Sequence, residues 1–409
     1  MKCRHCNNNL QHTVIDLASS PPSNSYLSCE KLKGAETWYP LKVMVCENCW
    51  LVQTFDCVQT EEMFSEDYAY FSSCSSSWVK HAEEYVATMA IRFSLNSDSN
   101  VVEVASNDGY LLQSVKAKGI ACYGVEPTSS TANIARKKGI DVVEKFFCAE
   151  LAIKLVSEGR GADLMVANNV LAHVPNINDF VKGFSILLNP QGVATFEFPH
   201  LLNLLQSNQF DTIYHEHYSY LSLITVVNIF KSNGLDVFDV EEISTHGGSL
   251  RVFAQRVDRG QHLVNGSVDA ILKREKQFEL DEVKTYQNLQ KAAIKVKADL
   301  LTLLIKFQEE GTSVVGYGAA AKGNTLLNYA GIKSDLLPCV IDKNEAKQGK
   351  YLPGSRIPIV DESVIKDNRP EYILILPWNL KSEIIEQLSY AREWNAKFVT
   401  FIPRLKILK

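Results

Sequence analysis

The chain has 409 residues, 46% apolar and 22% charged, which is too long for one ordinary core and sets two or three domains as the expectation. A formal net charge of −5 argues against a nucleic-acid or anionic-membrane partner. No stretch reaches the apolar length of a membrane span and "MKCRHCNNNL" lacks an apolar signal core, so a cytoplasmic chain with thiols rather than disulfides is expected.

At the N-terminus, "CRHC" (Cys3, Cys6) and "CENC" (Cys46, Cys49) are two CxxC pairs at zinc-ribbon spacing. Each pair suits a tight turn presenting two thiolates, and two turns complete a tetrahedral four-cysteine site. Unrelated free thiols or a redox CxxC are the competing readings, but two pairs at ligand spacing favour structural zinc. Such a closed site has no open position for catalysis. The stretch between the pairs is long enough for a loop around "SSPPSNSYL". Cys29, Cys57, Cys74, Cys122, Cys148 and Cys339 show no pairing and are read as packing residues.

The segment "NVVEVASNDGYLLQSVKAKGIACYGVEPT" reads as strand, tight turn, helix and strand, half of a doubly wound α/β unit. Glu126 ends the second strand, where a carboxylate would take both ribose hydroxyls of a nucleoside. The turn is not GxGxxG: Ala105 and Asn107 stand where glycines would, and it closes with Asp108 and Gly109. That loop offers no open cradle for a pyrophosphate. An acidic loop instead suits S-adenosylmethionine, whose amino-acid end is cationic. Glu103, Ala105, Asn107, Asp108, Gly109, Glu126 and Asn168 are the candidate cofactor contacts. Downstream, "ADLMVANNVLAHVPN" and "GVATFEFPH" read as two more strands, an order matching a class I methyltransferase; another nucleotide-binding α/β domain is the alternative.

"DTIYHEHYSY" packs two histidines, a glutamate and two tyrosines (Tyr214, Tyr218) ahead of Tyr220. It fits a metal site, a proton-transfer site or polar surface. HxH puts both imidazoles on one side only in extended backbone, and the helical HExxH spacing is absent. From about Ser267 to Gln308 the periodicity predicts long helices linking two domains. "TSVVGYGAAAKGNTLLNYAG" then gives strand, Gly316-x-Gly318 turn and helix, and "LPCVIDKN" a strand ending at Asp342; "YILILPWN" and "FVTFIP" are further strands. The glycine fingerprint is incomplete, so a domain that holds a nucleotide-sugar or nothing is favoured over a nicotinamide site. Lys322 and Asn324, at a helix start, could meet a diphosphate or only solvent.

Taken together, "CRHC" with "CENC", "EVASNDGYLL", "YHEHYSYLS", "THGGSLR" and "GYGAAAKGNTLLNYAG" closely resemble the sugar 3-C-methyltransferases over nearly the whole chain. The resemblance implies residues 1–70 as a zinc-binding domain, 71–260 as an S-adenosylmethionine-binding class I methyltransferase and 261–409 as a helical linker with a Rossmann-like domain. It implies methylation at C3 of a nucleotide-linked 4-keto-6-deoxy sugar by a monomer or weak homo-oligomer. By matching motif, His217 is the favoured base, with Tyr214 and Glu216 beside it. His173 and a tyrosine of "EDYAYFSS", Tyr68 with Tyr70 the alternative, match other active-site positions. The loop departs from the family pattern at Ala105, where glycine is common and a methyl group should be tolerable.

That chemistry needs no metal, because a C4 ketone acidifies the C3 hydrogen enough for an imidazole to remove it. A regular strand would put Tyr214 and Glu216 opposite His217, and His215 on the same face as His217. The segment must therefore turn if all three are to meet one sugar, and spacing alone does not choose between the histidines. An O- or N-methyltransferase, and a non-catalytic nucleotide-sugar-binding protein, are the other readings.

Overall fold

The computed structural model describes residues 1–55, 71–74 and 76–408. Tyr68, Tyr70 and Cys57 lie outside the described residues. Three sheets organise the rest.

The first is antiparallel, in the order His12–Ser20, Tyr39–Val45, Val52–Thr54 and Ser219–Tyr220. Its last strand comes from far along the chain, directly after the histidine segment. The zinc-ribbon turns sit at the sheet's end. Asn7 N–H bonds Cys3 O at 3.0 Å and Trp50 N–H bonds Cys46 O at 2.8 Å. Both Asn7 (φ 61°) and Trp50 (φ 62°) close their turns in the left-handed region.

The second sheet runs Leu235–Ile243, Ser249–Arg256, Leu188–Pro199, Ala162–Asn168, Asn100–Val104, Ala121–Val125, Asp141–Val143. Ser249–Arg256 is antiparallel to its neighbours and the other strands are parallel. This is the class I methyltransferase topology. The central strands are near-continuous apolar runs because crossover helices cover both faces. Val102, Met165, Ala167, Phe196 and Phe198 are all inaccessible. Strand order reverses between Asn100–Val104 and Ala162–Asn168, so the ligand crevice lies beyond their carboxyl ends.

The third sheet is Ile359–Val360, Val340–Ile341, Val314–Tyr317, Tyr372–Ile375, Lys397–Thr400, Lys406–Leu408, parallel except for the final strand. That is the doubly wound order, with its own switch point between Val314–Tyr317 and Tyr372–Ile375. The predicted linker is two helices, Gly266–Gln277 and Val283–Glu310. The first is tied to the methyltransferase: Glu275 accepts Leu223 N–H (2.6 Å) and Ile224 N–H (2.8 Å), capping the helix Leu223–Ser232, and pairs with His200 at 2.6 Å. The second buries Tyr286, Leu289, Ala293, Val296, Leu300, Leu304 and Phe307 at helical spacing, in one cluster with the first and third sheets. It ends at Gly311, left-handed at φ 69°.

The N-terminal module also clasps the third domain. Leu27 bridges Tyr351, and Arg356 pairs with Glu36 at 2.6 Å. The expectation that the unpaired cysteines are packing residues is corrected at Cys29, which is exposed. Cys148 packs against the methyltransferase core as expected and also caps a helix, its sulfur accepting Leu151 N–H at 3.4 Å. No helix among the described residues is long and apolar enough to cross a membrane.

Candidate active site

The four candidate zinc ligands converge. The sulfurs of Cys3, Cys6, Cys46 and Cys49 lie within 4.8 Å of one another, with Cys3–Cys49 and Cys6–Cys46 at 3.5 Å. A tetrahedral zinc with bonds of about 2.3 Å puts its sulfurs about 3.8 Å apart, so the set fits one ion. Gln53, wholly buried, donates to the Cys3 sulfur at 3.2 Å and accepts Arg4 N–H at 2.9 Å, the kind of outer partner that orients a ligand. Burial pushes the Cys46 thiol up to about 11. A dication is what would let such thiols ionise together.

At the carboxyl ends of the second sheet, the loop after Asn100–Val104 turns through left-handed Ala105 (φ 58°), Asn107 (φ 50°) and Gly109 (φ 76°). Glu126 fixes it from the neighbouring strand. One carboxylate oxygen accepts Asn107 N–H at 2.9 Å and the other Thr128 N–H at 2.9 Å. The Thr128 and Thr131 hydroxyls also lie against this carboxylate, where ribose hydroxyls would compete with them. Asp108 is held by Ser73 and by Lys138 (3.2 Å) through one oxygen, while its Oδ1 has no partner among the described residues. Glu103 Oε2 and the side-chain amides of Asn168 and Asn169 are likewise buried without partners there. Burial, then the charge of Glu126, pushes the Glu103 carboxyl well up; burial raises Glu126 too. Acidic groups already reluctant to ionise would repel a phosphate and attract a cationic, hydroxyl-rich ligand. S-adenosylmethionine fits and a pyrophosphate does not. Glu126→Ala should weaken S-adenosylmethionine binding by about 1.5–3 kcal/mol for each charge-assisted bond lost. Titration calorimetry giving an unchanged Kd would place the ribose elsewhere.

The histidine segment does turn. His217 N–H bonds Tyr214 O at 2.9 Å, and Ser219–Tyr220 then joins the first sheet. This turn separates the two histidines. His215 Nε2 lies 3.3 Å from the Tyr39 carbonyl, against the Tyr39 ring, in contact with the N-terminal module. His217 faces inward, its ring centroid 4.0 Å from Tyr214 and 4.6 Å from His173. Its Nδ1 lies 2.9 Å from the Thr212 carbonyl. Only an N–H can bond a carbonyl, so Nδ1 carries the proton and Nε2 the free pair. Burial, then the neighbouring His173, holds the His217 pKa well below its ordinary value. Burial likewise lowers His173 and His246 to about 4. The rings are therefore neutral at pH 7. Glu216 is buried and raised to about 7, with Asn24 donating to it at 2.7 Å.

Three site residues escaped the sequence reading. Asn24 arrives from the loop around "SSPPSNSYL", and Tyr26 of that loop donates to Ala319 O at 2.6 Å. His246, inside the quoted "THGGSLR", is left-handed at φ 54° and sits 5.4 Å from the Trp78 ring. Asn169, at φ 54°, neighbours the Asn168 that was foreseen. A non-glycine residue with positive φ is worth inspecting in any structure, but sequence alone does not reveal it.

The seven-stranded sheet, the cofactor loop and the four-cysteine cluster define an S-adenosylmethionine-dependent class I methyltransferase with a zinc-binding module. Family models match in series: "Putative zinc binding domain" over residues 3–64, "Methyltransferase domain" over 78–240 and "C-methyltransferase C-terminal domain" over 244–403. The C-methyltransferase NovU of Streptomyces niveus is 34% identical over 407 residues, covering 100% of this chain and 96% of that one. The chain belongs to this family of C-methyltransferases. Solved structures include the magnesium protoporphyrin IX methyltransferase of Synechocystis (16% identity, 44% of this chain, 79% of that chain, TM-score 0.34). Another is the 1,6-didemethyltoxoflavin-N1-methyltransferase of Burkholderia thailandensis (13%, 50%, 95%, 0.37). These likenesses are too slight to carry a functional inference.

Proposed function

We propose that this C-methyltransferase alkylates C3 of a nucleotide-linked 4-keto-6-deoxy sugar through a C3 enolate. The observation that carries the reading is His217, a buried neutral imidazole whose Nδ1–H is anchored on Thr212 O, leaving Nε2 as the basic nitrogen. His217 Nε2 takes the C3 proton, the C–H pair forms the C3–C4 double bond, and the carbonyl π pair moves to the C4 oxygen. Bound S-adenosylmethionine supplies the electrophilic methyl carbon. Glu103, Asn107, Asp108, Glu126 and Asn168 would hold it, with Ala105 and Gly109 shaping the loop. Tyr214, packed against the His217 ring, is assigned to donate toward the C4 oxygen, and Tyr68 the same duty by resemblance; His173, whose one N–H turns to the Glu216 backbone, is assigned to hold the His217 ring in place. Glu216, oriented by Asn24, is assigned to fix the sugar beside them.

The pH profile follows from the direction of the shift. A histidine whose pKa is depressed stays neutral below pH 6.5, so the acid limb of kcat/KM should fall well below that value. A limb centred at 6.5 or above would mean that the base is another group, Glu216 first among them, whose buried carboxyl is raised to about 7. To test the substrate class, a panel of nucleotide sugars can be assayed by mass spectrometry in 4-keto and 4-hydroxy forms. A gain of one methyl on the keto forms alone is expected. Equal methylation of the 4-hydroxy forms would point to oxygen as the acceptor.

A further inference from the structure

The third domain has a doubly wound switch point, yet its glycine turn is already filled. A Cβ at Gly318 (φ 91°) would meet the Pro377 ring at 2.4 Å, so the loop after Tyr372–Ile375 lies flat on the turn. Asp342, the strand-terminal acid, accepts Ala319 N–H at 2.8 Å and pairs with Lys347 at 3.3 Å. These groups serve each other rather than a dinucleotide.

The two loops at this switch point reach toward the methyltransferase. Lys322, second residue of the helix Ala321–Ala330, donates to Asn379 Oδ1 at 3.0 Å, and its ammonium lies 4.8 Å from the Trp378 ring centroid. Trp378 Nε1–H in turn bonds Asp211 Oδ2 at 2.7 Å, three residues before Tyr214. A Cβ at Gly247, next to His246, would meet the Trp378 ring at 2.5 Å. Trp378 therefore touches the segments that carry His217 and His246, and Lys322 lies over its face. The groups that feel the Lys322 charge are Asp211, His217 and His246, with His173 against His217 and Glu216 in the same turn. Asn379 takes one of the three ammonium donors, which leaves two for a ligand.

We propose that Lys322 is a further residue of the methyl-transfer site: the third domain places its ammonium beside the inward histidines to stabilise the negative charge that develops on the C4 oxygen. The inference rests on the enolate reading under "Proposed function". A cation near the imidazoles acts on charge created within a few ångströms of the base, and it acts strongly there because Asp211, Glu216 and His217 are buried. The same field disfavours imidazolium, which agrees with the lowered pKa of His217.

The test is C3 hydrogen exchange into deuterated water, with S-adenosylhomocysteine in place of the methyl donor, on wild type and Lys322→Met. Exchange by wild type, slowed about 10²–10³-fold in kcat by Lys322→Met with KM changed by less than about threefold, is expected. The acid limb of kcat/KM should also move to higher pH in that variant, because a repelling cation has been removed. Propylammonium should restore part of the exchange in Lys322→Ala, which also guards against a folding defect. Unchanged exchange in Lys322→Met, or no rescue of Lys322→Ala, overturns the proposal while leaving the enolate reading intact. So does a raised KM at unchanged kcat, which would mean that the ammonium grips the diphosphate. No exchange by wild type overturns the enolate reading, and this inference with it.

Discussion

His217→Asn is expected to lower turnover by about 10²–10⁴-fold, the usual share of a general base, with S-adenosylmethionine affinity almost unchanged. The reason is positional. The ring packs between Tyr214 and His173, and its Nδ1 is committed to Thr212 O, so only Nε2 is left to accept a proton. The cofactor residues lie on a different loop, fixed by Glu126. His215→Asn is the matched control. Its ring faces Tyr39 of the N-terminal module, so most activity should survive even if some stability is lost. A larger loss in His215→Asn would exchange the roles of the two histidines. Loss of C3 exchange in Tyr214→Phe but not in His217→Asn would make the tyrosine the base.

Cys46→Ser should cost both the zinc and the activity. Zinc binding is worth about 10–16 kcal/mol in isolated zinc-finger peptides, and a metal-site loss belongs among the few single changes that exceed about 4 kcal/mol. The reach into activity follows from the first sheet. Strand Val52–Thr54 leaves the second cysteine turn and pairs with Ser219–Tyr220, while Thr54 bonds the His217 and Tyr218 carbonyls at 3.2 and 3.5 Å. Thr225, in the capped helix Leu223–Ser232, holds the Trp50 carbonyl at 3.0 Å. Cys3, Cys46 and Cys49 also belong to the same apolar cluster as the methyltransferase core. Zinc is thus chemically idle but mechanically tied to the turn that aims His217. Metal analysis should find close to one zinc in the wild type and none in Cys46→Ser, with a lowered Tm. A metal-free, folded and fully active protein would contradict this.

The zinc site and the central sheet were legible in the sequence because their signals are local. Two CxxC turns are written in consecutive residues, and parallel buried strands read as apolar runs such as "LMVA". Glu126 was legible for the same reason, standing one residue past a strand end. What spacing hid depends on contacts between distant segments. Ser219–Tyr220 is too short to read as a strand, and it exists because Val52–Thr54 offers it an edge. Asn24 reaches Glu216 across 192 positions, and Trp378 reaches Asp211 across 167. Asp108 read as part of an acidic loop, and the sequence did not show that Lys138 engages one of its oxygens. The strand rule would have grouped His215 with His217; one turn, closed by His217 N–H on Tyr214 O, sends their rings to different partners, the Tyr39 and Thr212 carbonyls.

The carbon–carbon bond is the central claim, and the position of the transferred methyl tests it most directly. The enzyme should be supplied with S-adenosylmethionine labelled with ¹³C in its methyl group and with a nucleotide-linked 4-keto-6-deoxy sugar. Carbon-detected NMR of the product should show the labelled methyl coupled to C3 of the sugar ring, at a carbon-bound chemical shift. A label at the chemical shift of an O-methyl or N-methyl group, with C3 still carrying its hydrogen, would contradict the enolate account.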